Sequence, residues 1–212
     1  MIGGTVARLA VNAGYQVVLS NSRGPETLAG LAAELGPLAR TATGAEAAEA
    51  GELVVVAIPV KAYFGLPAAA FTGKVVLDTG NYYPERDGQI AELDSGSLTS
   101  AELLARELPG TSVVKVFNNI FFRHLLNLAR PAGAADRSYL PIAGDSAAAK
   151  TAVTTFLDSI GYEAVDAGAL ADGWRYQPGT PAYGPPYGPM DDEKGTPASA
   201  EVIHAALDKA TR

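Results

Sequence analysis

One feature constrains this chain more than any other: short, wholly apolar runs recur along it, separated by stretches with helical spacing. The clearest is Leu53-Val54-Val55-Val56-Ala57-Ile58, closed by Pro59. A run without polar alternation belongs to a strand covered on both faces, which is the condition of parallel sheets. Lys74–Asp78 and Val113–Phe117 read the same way, and Gln16–Ser20 is a shorter version. Helices are expected over 25–35, 45–50, 99–108 and 146–160. Pro25 suits a first turn, Gly36 a helix end, and Thr99 or Ser100 an N-cap. A weak strand is expected near 38–41, and later strands over 139–143 and 163–166. Strand–helix alternation of this kind winds into right-handed βαβ units and a doubly wound sheet.

The start of the chain narrows the class. Val6, Leu9 and Ala10 form a helical stripe closed by Gly14, and the strand at 16–20 follows at once. A dinucleotide-binding unit reads strand, Gly-x-Gly-x-x-Gly, helix, second strand. Here the helix and second strand are present, and Gly3 stands where the third glycine belongs. The expectation is an α/β, Rossmann-type, doubly wound and mostly parallel sheet lacking its first strand. A buried strand of that kind contributes about 10 kcal/mol by apolar area, so upstream residues are expected in the natural protein. Residues 1–172 form the nucleotide-binding domain in this reading. Residues 173–212 form a small extension, a Gly/Pro/Tyr-rich arm followed by a helix over 198–210.

At the end of the second strand, NAD-selective folds place an acid for the ribose 2′-hydroxyl. This chain reads Asn21-Ser22-Arg23-Gly24-Pro25 instead. Arg23 offers a charged donor and Ser22 a hydroxyl, at about 1.5–3 kcal/mol for such a bond. That favours NADP over NAD by about tenfold to a hundredfold. The alternative is a plain turn with a solvated arginine.

Several blocks then resemble a known family, the NADP-dependent reductases of the deazaflavin coenzyme F420 and their bacterial relatives of unassigned substrate. Met1-Ile2-Gly3-Gly4 looks like the tail of that family's glycine-rich loop, and Ser20-Asn21-Ser22-Arg23 is similar to its 2′-phosphate motif. Val55–Pro59, Val114–Ile120, Ile142–Asp145 and Val165–Leu170 resemble further blocks in the family's order. The resemblance implies NADP as cofactor, coenzyme F420 as leading redox partner, and a homodimer. The segment 174–183 looks more like the bacterial relatives, whose hydride acceptor is unsettled.

Cofactor contacts are expected from Met1, Ile2, Gly3, Asn21, Ser22, Arg23, Ile58, Pro59, Asn81 and Asn118, since ligands sit beyond the carboxyl ends of parallel strands. Asn118 either holds a carboxamide or caps the helix after it. No catalytic side chain is named, because hydride transfer between two bound rings depends chiefly on proximity and shape. Trp174, Tyr183 and Tyr187 form either a lid or a dimer arm. His124 reads as a surface helix residue and His204 as solvated. Asp191-Asp192-Glu193 reads as a solvated acidic turn, with no metal expected. The remaining functional alternatives are reduction of an imine, ketone or quinone, and a non-catalytic NADP sensor.

With 16 Lys and Arg against 23 Asp and Glu, the net charge of −7 argues against nucleic acid or an anionic membrane as partner. The absence of cysteine excludes thiolate chemistry and fits a reducing, cytoplasmic compartment.

Overall fold

The computed structural model describes residues 1–212. Its strands are β1 (Val17–Leu19), β2 (Ala39–Thr41), β3 (Leu53–Val56), β4 (Val75–Asp78), β5 (Ser112–Lys115), β6 (Ser138–Gly144) and β7 (Tyr162–Gly168). The principal helices are α1 (Ile2–Asn12), α2 (Ala29–Leu35), α3 (Gly44–Ala50), α4 (Ser100–Glu107), α5 (Phe122–Asn127), α6 (Ala147–Ser159) and α7 (Ala200–Asp208). The fold is a mostly parallel α/β arrangement of Rossmann type. No helix is long and apolar enough to cross a membrane.

The strands fall into two sheets. β1 and β2 pair in parallel, Val17 opposite Ala39 and Leu19 opposite Thr41. The other five follow the order β3-β4-β5-β6-β7, parallel except where β5 meets β6. Alternate residues of the larger sheet serve two cores, as the strand period requires. Val76 and Val113 pack with Ala101, Leu103 and Leu104 of α4 on one face. Leu77 and Val114 pack with Leu140, Ile142, Val153 and Leu157 on the other.

The division between the sheets lies between β1 and β3. The Val17 N–H donates to Leu38 O (2.8 Å), and Leu19 O accepts from the Ala42 N–H (3.0 Å). Residues 17 and 19 therefore turn their main-chain groups toward β2, and Val18 turns its own into the division. On β3, Val56 O accepts from the Thr79 N–H (3.2 Å), so Val55 faces the division from the other side. The result is a slot whose walls are two strand edges.

Local sequence explains most boundaries. Thr43 and Thr99 open α3 and α4 with complete capping boxes, each closed by a glutamate, Glu46 or Glu102. The expected helix at 25–35 begins as a 3₁₀ turn over Pro25–Leu28 before α2. β5 stops two residues before the expected Phe117, because Phe117 adopts a left-handed φ of 66°. A bulky residue rarely does so.

The 173–212 extension shares the main core. Tyr176, Ala182, Tyr187, Ala198, Ile203 and Leu207 belong to the same cluster as Leu77 and Val114. The Tyr176 hydroxyl donates to Lys115 O (2.9 Å) and that of Tyr187 to Tyr139 O (2.8 Å).

Candidate functional site

A cleft of about 1280 Å³ follows the slot from Tyr15 and Phe156 at one end to Ser20, Ile58, Asn81 and Tyr83 at the other. Much of that volume is the slot itself. The chemically rich part is the mouth at the carboxyl ends of β1, β3 and β4, the position where open α/β sheets bind ligands.

Met1 to Gly4 line this mouth together with Ile58, Pro59, Thr79, Gly80 and Asn81. The first intrahelical bond of α1 runs from the Thr5 N–H to Met1 O (3.0 Å), so the N–H groups of Ile2, Gly3 and Gly4 have no acceptor in the helix. Gly3 is held close to β3: a Cβ there would lie 3.1 Å from that of Ala57. A side chain would have to displace the strand end, so this position suits glycine.

The Asn21 side chain shapes the turn after β1. Its oxygen accepts from the Arg23 N–H (2.8 Å) and its amide donates to Thr27 Oγ1 (2.9 Å). Asn21 is thus occupied within the turn. Ser22 and Arg23 are exposed, and neither lines the cleft wall.

The loop after β4 is built on a buried ion pair. Asp78 and Lys115 face each other across the β4–β5 register, with side chains 0% and 2% exposed. Lys115 Nζ donates to Asp78 Oδ2 (2.9 Å), to Ser100 Oγ (3.0 Å) and, very closely, to Gly80 O. The other Asp78 oxygen accepts from the Tyr63 hydroxyl (2.6 Å) and the Gly80 N–H (2.8 Å). Burial, then the Asp78 charge, pushes the Tyr63 phenol well above its usual range, so it stays a donor. A Cβ at Gly80 would collide with the Tyr63 hydroxyl. These groups fix where Thr79, Gly80 and Asn81 stand.

A second hub sits beside them. Arg86 donates to both oxygens of Asp87 (3.1 and 2.7 Å) and to Asn81 O (2.6 Å). Asp87 also accepts from the N–H groups of Tyr83 (3.1 Å) and Lys61 (3.4 Å). Burial alone would raise the Asp87 carboxyl; the Arg86 guanidinium and these N–H groups outweigh it and hold it below its ordinary range.

Asn118 stands one layer behind the mouth, 4% exposed. Its amide donates to Asn81 Oδ1 (3.2 Å) and Tyr176 O (2.9 Å), while Asn81 donates to Asn118 O (2.8 Å). Asn118 does not cap the next helix, since α5 begins after Phe121. Its Oδ1 is buried without a partner, directly after the left-handed Phe117. Strain beside an unpaired polar atom is characteristic of functional sites.

Several expectations change. His124 is not on the surface: it is 1% exposed, and its Nε2 meets Asp192 O at 2.7 Å. The 185–197 segment folds over it. Tyr187 is fully buried against β6, so it is core and neither lid nor dimer arm. Trp174 lines a separate hollow, under Arg212. Only Tyr183 of that trio comes near the mouth, through Tyr83 and Asn81.

Sequence reasoning missed Tyr63, Asp78, Lys115, Tyr83, Arg86 and Asp87. One signal was available: a lysine inside Val-Val-Lys-Val-Phe has no place in a covered strand unless an acid faces it.

The model of a family described as NADP oxidoreductase, coenzyme F420-dependent, matches residues 1–82. Over these residues the chain resembles that family. The stretch holds α1, β1 to β4 and the mouth up to Asn81. A solved structure of a hypothetical protein, SMa0349 from Sinorhizobium meliloti, is 26% identical, with a TM-score of 0.72 over 84% of this chain and 86% of that one. A provisionally assigned F420-dependent NADP-reductase from Arthrobacter sp. FB24 is 25% identical, with a TM-score of 0.66 over 80% and 81%. Among curated proteins, YjhV of Escherichia coli K12 is 38% identical over 53 residues, which are 25% of this chain and 39% of that protein. The chain therefore matches well under half of that curated relative.

Proposed function

We propose that the protein is an NADP(H)-dependent oxidoreductase that moves a hydride between NADP(H) and a second ring-bearing cofactor or substrate, coenzyme F420 being the leading candidate. The observation that carries this reading is the convergence of three elements on one mouth, the free N–H groups of α1, the Ile58–Pro59 strand end and the Thr79–Asn81 loop, with Ser20 just past β1 at its edge. The matched family and the Arthrobacter structure support it.

The residues present fit NADP. Ile2, Gly3 and Gly4 offer unpaired N–H groups at a helix start, where a pyrophosphate is stabilised. The Arg23 guanidinium has no acidic partner within the protein, and no acid occupies the turn after β1. Arg23 and Ser22 would hold the 2′-phosphate. Ile58 and Pro59 would cover one face of the nicotinamide, with Asn81 at its edge. NADPH supplies the hydride when bound. The protein would orient the ring and, with Ile58 and Pro59, keep water from one of its faces. A homodimer, a cytoplasmic location and the division at residue 172 belong to the same proposal.

The test is to mix the protein with NADPH and oxidised deazaflavin and to follow deazaflavin absorbance. Loss of the band supports the full reading. A retained band with NADPH bound rejects the deazaflavin and keeps the nucleotide.

A further inference from the structure

Tyr83 and Tyr183 come from elements 100 residues apart, and their hydroxyl oxygens lie 2.6 Å from one another. Tyr83 lines the mouth of the cleft beside Asn81 and Arg86. Tyr183 stands behind it and is half-buried. The two groups could share their proton in either sense, and their other partners favour one. Its amide nitrogen faces Asn118 O at 2.8 Å and its oxygen faces Asn118 Nδ2 at 3.2 Å, so the amide cannot be turned over. That same nitrogen is 3.3 Å from the Tyr183 oxygen, which therefore accepts. Tyr83 is the one acceptor beside the Tyr183 hydroxyl, so the Tyr183 proton points to Tyr83 and the Tyr83 proton is left for the cleft. The Arg86 guanidinium lies 5.0 Å from the centre of the Tyr83 ring, a cation–π contact that holds the ring in place.

We infer that Tyr83 is the proton donor of this site, loaded through Tyr183 and oriented by Asn81. The natural acceptor is then a conjugated imine or enone in a planar ring, whose nitrogen or oxygen gains a proton as its carbon gains the hydride. The inference rests on the NADP(H) reading above, with NADPH as reductant. The acceptor carbon takes the hydride and its electron pair; the C=N or C=O π pair moves to the heteroatom. The heteroatom takes the Tyr83 proton, Tyr83 takes that of Tyr183, and Tyr183 is refilled from water. In sum, NADPH, acceptor and one proton become NADP⁺ and reduced acceptor. Burial, then the bond to Tyr83, raises the Tyr183 phenol, so this reserve stays protonated through neutral pH.

The experiment uses the Tyr83→Phe and Tyr183→Phe variants of the full chain, with oxidised deazaflavin and a cyclic imine as probes. Three readouts are taken: NADPH affinity, single-turnover loss of NADPH with its solvent deuterium isotope effect, and equilibrium binding of oxidised deazaflavin to the NADP⁺ complex. Expected are NADPH affinities within about twofold of the parent and a rate about 100-fold lower in Tyr83→Phe, the lower end of what general acids contribute. Tyr183→Phe should lose about tenfold on the same scale, as a relay one step removed. Deazaflavin binding should weaken about fivefold in Tyr83→Phe, the worth of one hydrogen bond. Tyr83→Phe with the parent's rate, isotope effect and deazaflavin affinity overturns the inference. A parent that binds NADPH yet reduces neither probe also overturns it and leaves the nucleotide reading standing. A parent that does not bind NADPH overturns that reading, and this inference falls with it.

Discussion

The two sides of the slot are built to different standards. On the β3–β7 side, Val76, Leu77, Val114, Leu140 and Val153 are completely or almost completely buried, and helices cover both sheet faces. On the β1–β2 side the strands are three residues long, and α2 buries no residue fully. That side meets the main core chiefly through Val6, Leu9 and Ala10 of α1, with Ala48 reaching the other core from α3. An exposed ion pair, Arg8 with Glu34, ties α1 to α2; exposed pairs contribute at most about 1 kcal/mol. The half of the proposed site that would grip the adenosine phosphate stands on the lighter side. The half that would position reacting atoms stands on the heavier one. Affinity can tolerate compliance at the distal end of a ligand, whereas a shift of about 1 Å at the reacting end costs rate.

The largest test of this contrast is to fill the slot. Joining five apolar β-branched residues and a Gly-x-Gly turn ahead of Met1 should pair the Val18 and Val55 edges and merge the sheets. By apolar area the gain is on the order of 10 kcal/mol at most. The melting temperature is expected to rise by at least about 10 °C, and the amides of β1 and β2 should lose their faster hydrogen exchange. An unchanged melting temperature would show that the edges do not accept a strand.

Breaking the heavier side comes next. Lys115→Met strands Asp78 without its cation in a covered sheet and should cost about 3–5 kcal/mol in urea unfolding. Joint replacement of Lys115 and Asp78 by apolar residues should recover most of that loss. On the lighter side, Arg23→Ala should weaken NADPH binding about tenfold to a hundredfold, barely change NADH binding, and leave the melting temperature alone. Calorimetric titration of both nucleotides distinguishes this from general damage.

The smallest effect concerns Asp87. Its folded carboxyl titrates below the ordinary value of 3.8, so its stabilising contribution is present above that pH and is lost as pH falls through the folded value. Stability measured from pH 5 down to pH 3 should fall less steeply in Asp87→Asn than in the parent, and above pH 5 the two curves should run parallel.

The strands and most helices were legible because their signals are local. Leu53–Val56 is apolar end to end, and Thr43-x-x-Glu46 and Thr99-x-x-Glu102 announce their own helix starts. The first helix was legible too, from the Val6, Leu9 and Ala10 stripe closed by Gly14. The polar lining of the mouth was not. Tyr83 and Tyr183, or Asp78 and Lys115, meet only after the strands are ordered and the Gly/Pro/Tyr segment is folded back. His124 failed for the same reason: its helix has a buried face only because residues 185–197 cover it. Composition marked that segment as irregular, and irregular segments carry no periodicity from which burial can be read.

The Asp78–Lys115 pair has a consequence for how such a sequence can drift. Each residue is tolerable only in the other's presence, so either change made alone passes through a poorly folded protein. The two positions, 37 residues apart in the chain, behave as one inherited character. Change there is expected to come as a paired replacement, or after stability gained elsewhere has made the intermediate survivable. The surface turn carrying Arg23 faces no such barrier, so in the proposed reading nucleotide preference would change by single steps while the floor of the mouth stays locked.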